Sequence, residues 1–138
     1  MVGLKNGPAC DKRLKICAEK THPVKARRMD RIADLLFEAK MLKEIPRSGY
    51  HFLGAGKESV AEHSFMTTFI AYVMGQMTPE ANTERLGAMC LVHDLPEART
   101  GDLNYVQKRY VDKHEDRALA DALEGLPFGA AVADLMSE

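Results

Sequence analysis

The chain has 138 residues, enough for one domain with a real core and too few for two ordinary ones, so fold and function must share one body. With 46% hydrophobic residues, 28% charged residues and a net charge of −1, it lacks the basic excess of a nucleic-acid binder and has the profile of a soluble globular protein. No apolar run approaches the roughly 20 residues needed to span a bilayer, and the N-terminus lacks the uninterrupted apolar segment of a signal peptide, which makes a cytoplasmic location the default.

Residues 1–24 carry Gly3, Gly7, Pro8 and Pro23 without sustained periodicity and read as a poorly ordered leader, leaving 25–138 as the expected domain. Cys10, Cys17 and His22 fall in that leader, at a spacing wider than a zinc motif uses and with no fourth ligand near. Cys10, Cys17 and Cys90 are an odd cysteine total, which argues against a disulfide framework. From Val24 to Lys43 the residues Met29, Ile32, Ala33, Leu35, Leu36, Ala39 and Leu42 line one side of an amphipathic helix, and Pro46 ends it. Arg47 to Lys57, with Gly49, Gly54 and Gly56 around Tyr50, His51 and Phe52, reads as a loop in which His51 is exposed or structural.

Ser59-Val60-Ala61-Glu62 has the form of a capping box, in which a hydroxyl and a carboxylate satisfy free amides at a helix start. His63 then falls in the first turn of a helix whose inward stripe is expected to hold Val60, Met66, Ile70, Val73, Met74 and Met77, the methionines serving as core filler. After Thr78-Pro79, Asn82 or Thr83 opens a helix on which Leu86, Met89 and Cys90 precede His93. Pro96 follows Asp94 closely, so the His93-Asp94 pair belongs where that helix bends or ends. Val106 to Leu123 is dense in charge and reads as a solvent-facing helix that puts His114 on the surface. Gly125-Leu126-Pro127 stops it, and Ala130 to Met136 begins another. No strand is predicted, and the fold class is all-α.

Burying His63 and His93 is costly unless their rings gain partners. With Asp94 they offer nitrogen and oxygen donors that suit a divalent transition metal such as Mn, Co, Fe, Zn or Ni, held between helices. A lone histidine on an apolar stripe is more often a satisfied core residue, so the case rests on the set. Glu97, one helical turn from Asp94, is placed to take a proton, and Arg47 in its glycine-flanked loop could meet a phosphate with a fork of donors. Asp102 after Gly101 also fits a turn or an N-cap.

Four segments in this order, Ile45-Pro46-Arg47-Ser48-Gly49-Tyr50, Ser59-Val60-Ala61-Glu62-His63-Ser64, Leu91-Val92-His93-Asp94-Leu95-Pro96-Glu97 and Thr100-Gly101-Asp102, resemble the HD-domain metal-dependent phosphohydrolases, and among them the 5′-deoxynucleotidase branch. The resemblance implies an HD-domain helical bundle in which His63, His93 and Asp94 bind a divalent metal and Glu97 orients or deprotonates the attacking water. It also implies that Arg47 and Asp102 contact the nucleotide. The reaction would remove phosphate from (deoxy)nucleoside 5′-monophosphates by attack of a metal-bound water. The expected partner is a small-molecule nucleotide, with neither nucleic acid nor membrane, and a homodimer is left open. In the family a final Asp further downstream completes the site. This chain ends before that position, so the ligand-bearing C-terminal helix is expected to be missing, and Asp134 falls in the helix before it. A second reading from another class is an HD-type module, weak or inactive in catalysis, that works through a partner.

Overall fold

The structure, a computed structural model, describes residues 24–137, so Cys10, Cys17 and His22 lie outside the described residues. Helix α1 spans Val24–Met41, and single turns form α2 at Tyr50–Leu53 and α5 at Glu97–Thr100. The longer elements are α3 at Val60–Met77, α4 at Thr83–Val92, α6 at Glu115–Leu123 and α7 at Gly129–Met136, with a 3₁₀ turn at Gln107–Arg109. Among the described residues there is no strand, only an isolated antiparallel bridge between Pro46 and Ser59. None of these helices is long and apolar enough to cross a membrane.

Local chemistry sets the ends of the elements. Ser59 caps α3 as expected: its hydroxyl accepts the Glu62 amide at 3.2 Å while the Glu62 carboxylate accepts the Ser59 amide at 2.7 Å. Asn82 caps α4 by accepting the Arg85 amide at 2.9 Å. Helix α4 stops at Val92, the chain turns through residues 93–96, and Pro96, with no amide to donate, leads into α5. Gly101, at φ 72°, closes α5 in the left-handed region open to glycine.

Two arginines fasten α1 across the molecule. Arg31 donates to the carbonyls of Asp121 at 2.7 Å and Glu124 at 3.1 Å, capping the negative end of α6. Arg99 of α5 makes a bidentate pair with Glu38 at 2.6 and 2.7 Å. The loop after α1 is pinned to the start of α3 by the amides of Arg47, Val60 and Ala61, which donate to Glu58, Ile45 and Leu42. Arg47 is therefore held on a rigid closure beside α3, even though the glycine pattern predicts a free loop there and the structure forms α2 within it.

The structure corrects the expected inward stripe of α3. Met66, Ile70, Val73, Met74 and Met77 are exposed, and the buried face is Val60, Ser64, Ala71 and Gly75. This helix is apolar nearly all round, so hydrophobic period alone cannot pick a face. The small residues decide it by letting α4 come close. The expected helix from Val106 to Leu123 is also corrected: the 3₁₀ turn and an extended stretch precede α6, whose Ala118, Ala122 and Leu123 are buried. His51 and His114 are exposed, as anticipated.

At the α3–α4 contact, a Cβ added to Gly75 would lie 2.5–2.9 Å from side-chain atoms of Thr83. Replacing Gly75 by Ala should therefore lower stability by about 1–3 kcal/mol through overpacking, although alanine is the better helix former by about 1 kcal/mol. Urea unfolding checks this. A variant as stable as the parent would show that the two helices part without cost.

Candidate metal centre

His63 reaches the site from the first turns of α3, and His93 and Asp94 from the turn that ends α4. Their ligating atoms lie within 4.8 Å of one another, the one such grouping of at least three His, Cys, Asp or Glu found among the described residues. Asp94 Oδ2 is the point of convergence, 3.1 Å from His93 Nε2 and 3.7 Å from His63 Nε2. The two imidazoles meet edge to face with centroids 5.5 Å apart.

The tautomer of His93 follows from its other nitrogen. Nδ1 lies 2.8 Å from the Cys90 carbonyl, which can only accept, so Nδ1 carries the proton. In the neutral ring Nε2 then presents a lone pair to Asp94 Oδ2, and two acceptors face each other. Only a proton or a cation between them relieves this. Asp94 Oδ2 is indeed buried without a hydrogen-bond partner. Two ligands about 2.1 Å from a common ion stand about 3 Å apart at a right angle, close to the His93–Asp94 spacing. The donor set therefore fits a divalent transition metal.

Around this triad the charges are ordered. The Arg47 guanidinium lies 3.3 Å from Asp102, 3.6 Å from Asp94 and 3.8 Å from Glu97. Asp102 Oδ2 also accepts the Ser48 amide at 2.9 Å, so it ties the Arg47 segment to the end of α5. When His93 is protonated its Nε2 can donate to Asp94, and this raises the ring's pKa above 6.5, with burial working against it. Burial pushes the Asp94 carboxyl up, yet His93, Arg47 and His63 together hold it below the ordinary value. Glu97 is raised by burial first and then by the charges of Asp94 and Asp102, against the pull of Lys113.

The structure thus brings together all six residues singled out in the sequence: Arg47, His63, His93, Asp94, Glu97 and Asp102. Asp134 is elsewhere, 70% exposed and 3.4 Å from Arg85. Sequence reasoning missed Lys113, whose ammonium is 3.3 Å from Glu97 Oε1 and also pairs with Glu115. In sequence it is one basic residue in a charged run, and only the return of the chain after Gly101 shows its partner.

The chain and its fold are similar to known proteins. The sequence model of the family described as "HD domain" matches residues 39–138. Among solved structures, a conserved hypothetical protein from Pyrococcus furiosus superposes with a TM-score of 0.66 at 31% identity over 76% of this chain. A protein from Pyrococcus horikoshii OT3 gives 0.61 at 27% over 76%, and a predicted metal-dependent phosphohydrolase from Magnetospirillum magnetotacticum MS-1 gives 0.63 at 26% over 80%. The matches cover 64%, 61% and 59% of the length of those three proteins, respectively. No curated protein matches the sequence.

Two outcomes test the centre. The purified protein should take up about one divalent transition ion per chain, and His93→Ala should lose it, as read by elemental analysis after reconstitution. Because a protonated His93 cannot ligate and its pKa lies above 6.5, affinity should rise with pH and already be falling as pH drops toward 6.5. Calorimetric titration at several pH values measures that dependence. A pH-independent affinity would remove His93 from the ligand set.

Proposed function

The chain belongs to the HD-domain family, and on that footing we propose that it is a metal-dependent phosphohydrolase that removes phosphate from (deoxy)nucleoside 5′-monophosphates. The observation that carries this reading is the placement of Arg47 against the triad, 3.6 Å from Asp94. A divalent cation held by His63, His93 and Asp94 supplies Lewis acidity, lowering the pKa of a water and offsetting phosphate charge. Asp94, Glu97 and Asp102 face two cationic side chains, Arg47 and Lys113, and a dication added to them leaves the site net positive. That balance suits a phosphate monoester, which brings about two negative charges.

Arg47 offers the phosphate a planar fork of donors, and Asp102 keeps the guanidinium and the Ser48 amide in place. Glu97 accepts the proton of the attacking water as the water oxygen bonds to phosphorus and the bond from phosphorus to the 5′ oxygen breaks, and the departing 5′ oxygen takes up that proton to leave as the nucleoside hydroxyl. Its raised pKa moves it toward the working range of a general base. An open cleft of about 500 Å³ is lined by Arg47 with Tyr50, His51, Lys57 and Glu62; none of His63, His93, Asp94 or Glu97 lines it, so Arg47 is what links it to the centre. The 5′-deoxynucleotidase assignment within the family rests on the likeness of the four segments.

A second reading, an HD-type module weak in catalysis that works through a partner, is favoured by the exposed Phe65, Phe69 and Ile70 on α3. A phosphate-release screen over ribo- and deoxyribonucleoside 5′-monophosphates separates the two. Under the first reading Glu97→Gln keeps metal and stability but loses roughly 10²-fold or more in turnover, and Arg47→Ala chiefly raises KM. Unchanged turnover in the Glu97 variant would take that carboxylate out of the mechanism.

A further inference from the structure

Glu97 is almost fully buried, and its two carboxylate oxygens have different surroundings. Oε1 faces the Lys113 ammonium at 3.3 Å, while Oε2 is buried, has no hydrogen-bond partner and stands 3.8 Å from the Arg47 guanidinium. An unpaired buried oxygen in a folded protein calls for an explanation. Here the partner side chain supplies one. Lys113 lies two residues before Glu115, the first residue of α6, and Glu97 is the first residue of α5, so the pair ties the starts of two helices. Lys113 is itself only 10% exposed and is held from its far side by Glu115.

We propose that Lys113 is a positioning residue that holds Glu97 Oε1 and so keeps Oε2 turned into the site as the oxygen that takes the proton from water. This rests on the phosphohydrolase reading. Without the ammonium, only the Arg47 guanidinium 3.8 Å from Oε2 bears on the carboxylate, which can then turn so that neither oxygen is aimed into the site. The same contact explains why a lysine, whose ammonium is strongly hydrated, is drawn into a nearly closed position: Glu97 and Glu115 replace its water.

Lys113→Met keeps the length and much of the volume of the side chain and removes the charge. In the full-length, metal-loaded protein it should lower kcat about tenfold or more, the scale on which supporting residues act, with KM and metal content unchanged. Lys113→Arg should restore most of the loss, and Glu115→Gln, at a more exposed position, should give a smaller loss of the same kind. A fall in kcat that tracks a lower melting temperature in all three variants, or an unchanged kcat in Lys113→Met, would overturn the inference. Crystal structures of wild type and Lys113→Met supply a readout independent of activity. A Glu97 carboxylate in the same orientation without Lys113 would overturn the inference even if the wild type hydrolysed nothing, whereas a reoriented carboxylate in an inactive protein would leave the positioning intact and reject the phosphohydrolase reading.

Discussion

The negative charge gathered around Asp94 is the constraint on which the rest of this molecule depends. Asp94, Glu97 and Asp102 share one small region, and burying carboxylates together is expensive unless cations and hydrogen bonds answer them. Arg47 answers all three from one side, and Lys113 answers Glu97 from the other. Two imidazoles supply the remaining contacts to Asp94. The residual negative charge suits the site to a divalent cation.

The backbone is arranged to hold those groups still. Arg47 comes from a loop that would be loose by composition, but the Pro46–Ser59 bridge, the Arg47 amide on Glu58 and the Ser48 amide on Asp102 close it onto α3 and the end of α5. His93 and Asp94 sit in a turn rather than in a helix, because α4 stops at Val92 and Pro96 starts the next turn. A turn exposes side chains that a continuing helix would direct along its own surface. Rigid neighbours then fix them, which is what a site that must keep donor atoms within a few tenths of an ångström requires.

The apolar faces of α1 and α3 are a separate matter. Leu36 and Phe37 on the first helix and Phe65, Phe69 and Met74 on the second are exposed on the described body, more apolar surface than an isolated small domain usually presents.

Much of this was written in local sequence. The capping box at Ser59 and Glu62, the break at Pro96, the stop at Gly125 and the all-α class depend on short-range geometry and were legible from residue type and spacing. His63, His93, Asp94 and Glu97 stood out by residue type and helical spacing and Arg47 by its glycine-flanked loop, whereas Asp102 was singled out only by the likeness to the HD-domain segments; the structure brings all six together. Three things were decided only by the tertiary structure. The buried face of α3 was set by small residues that admit α4, because an all-round apolar helix carries no directional signal. The division of Val106 to Leu123 was set by the packing of Ala118, Ala122 and Leu123, which charge density concealed. The pairing of Lys113, in the stretch before α6, with Glu97 of α5 is made by the return of the chain, and such a contact has no trace in sequence spacing.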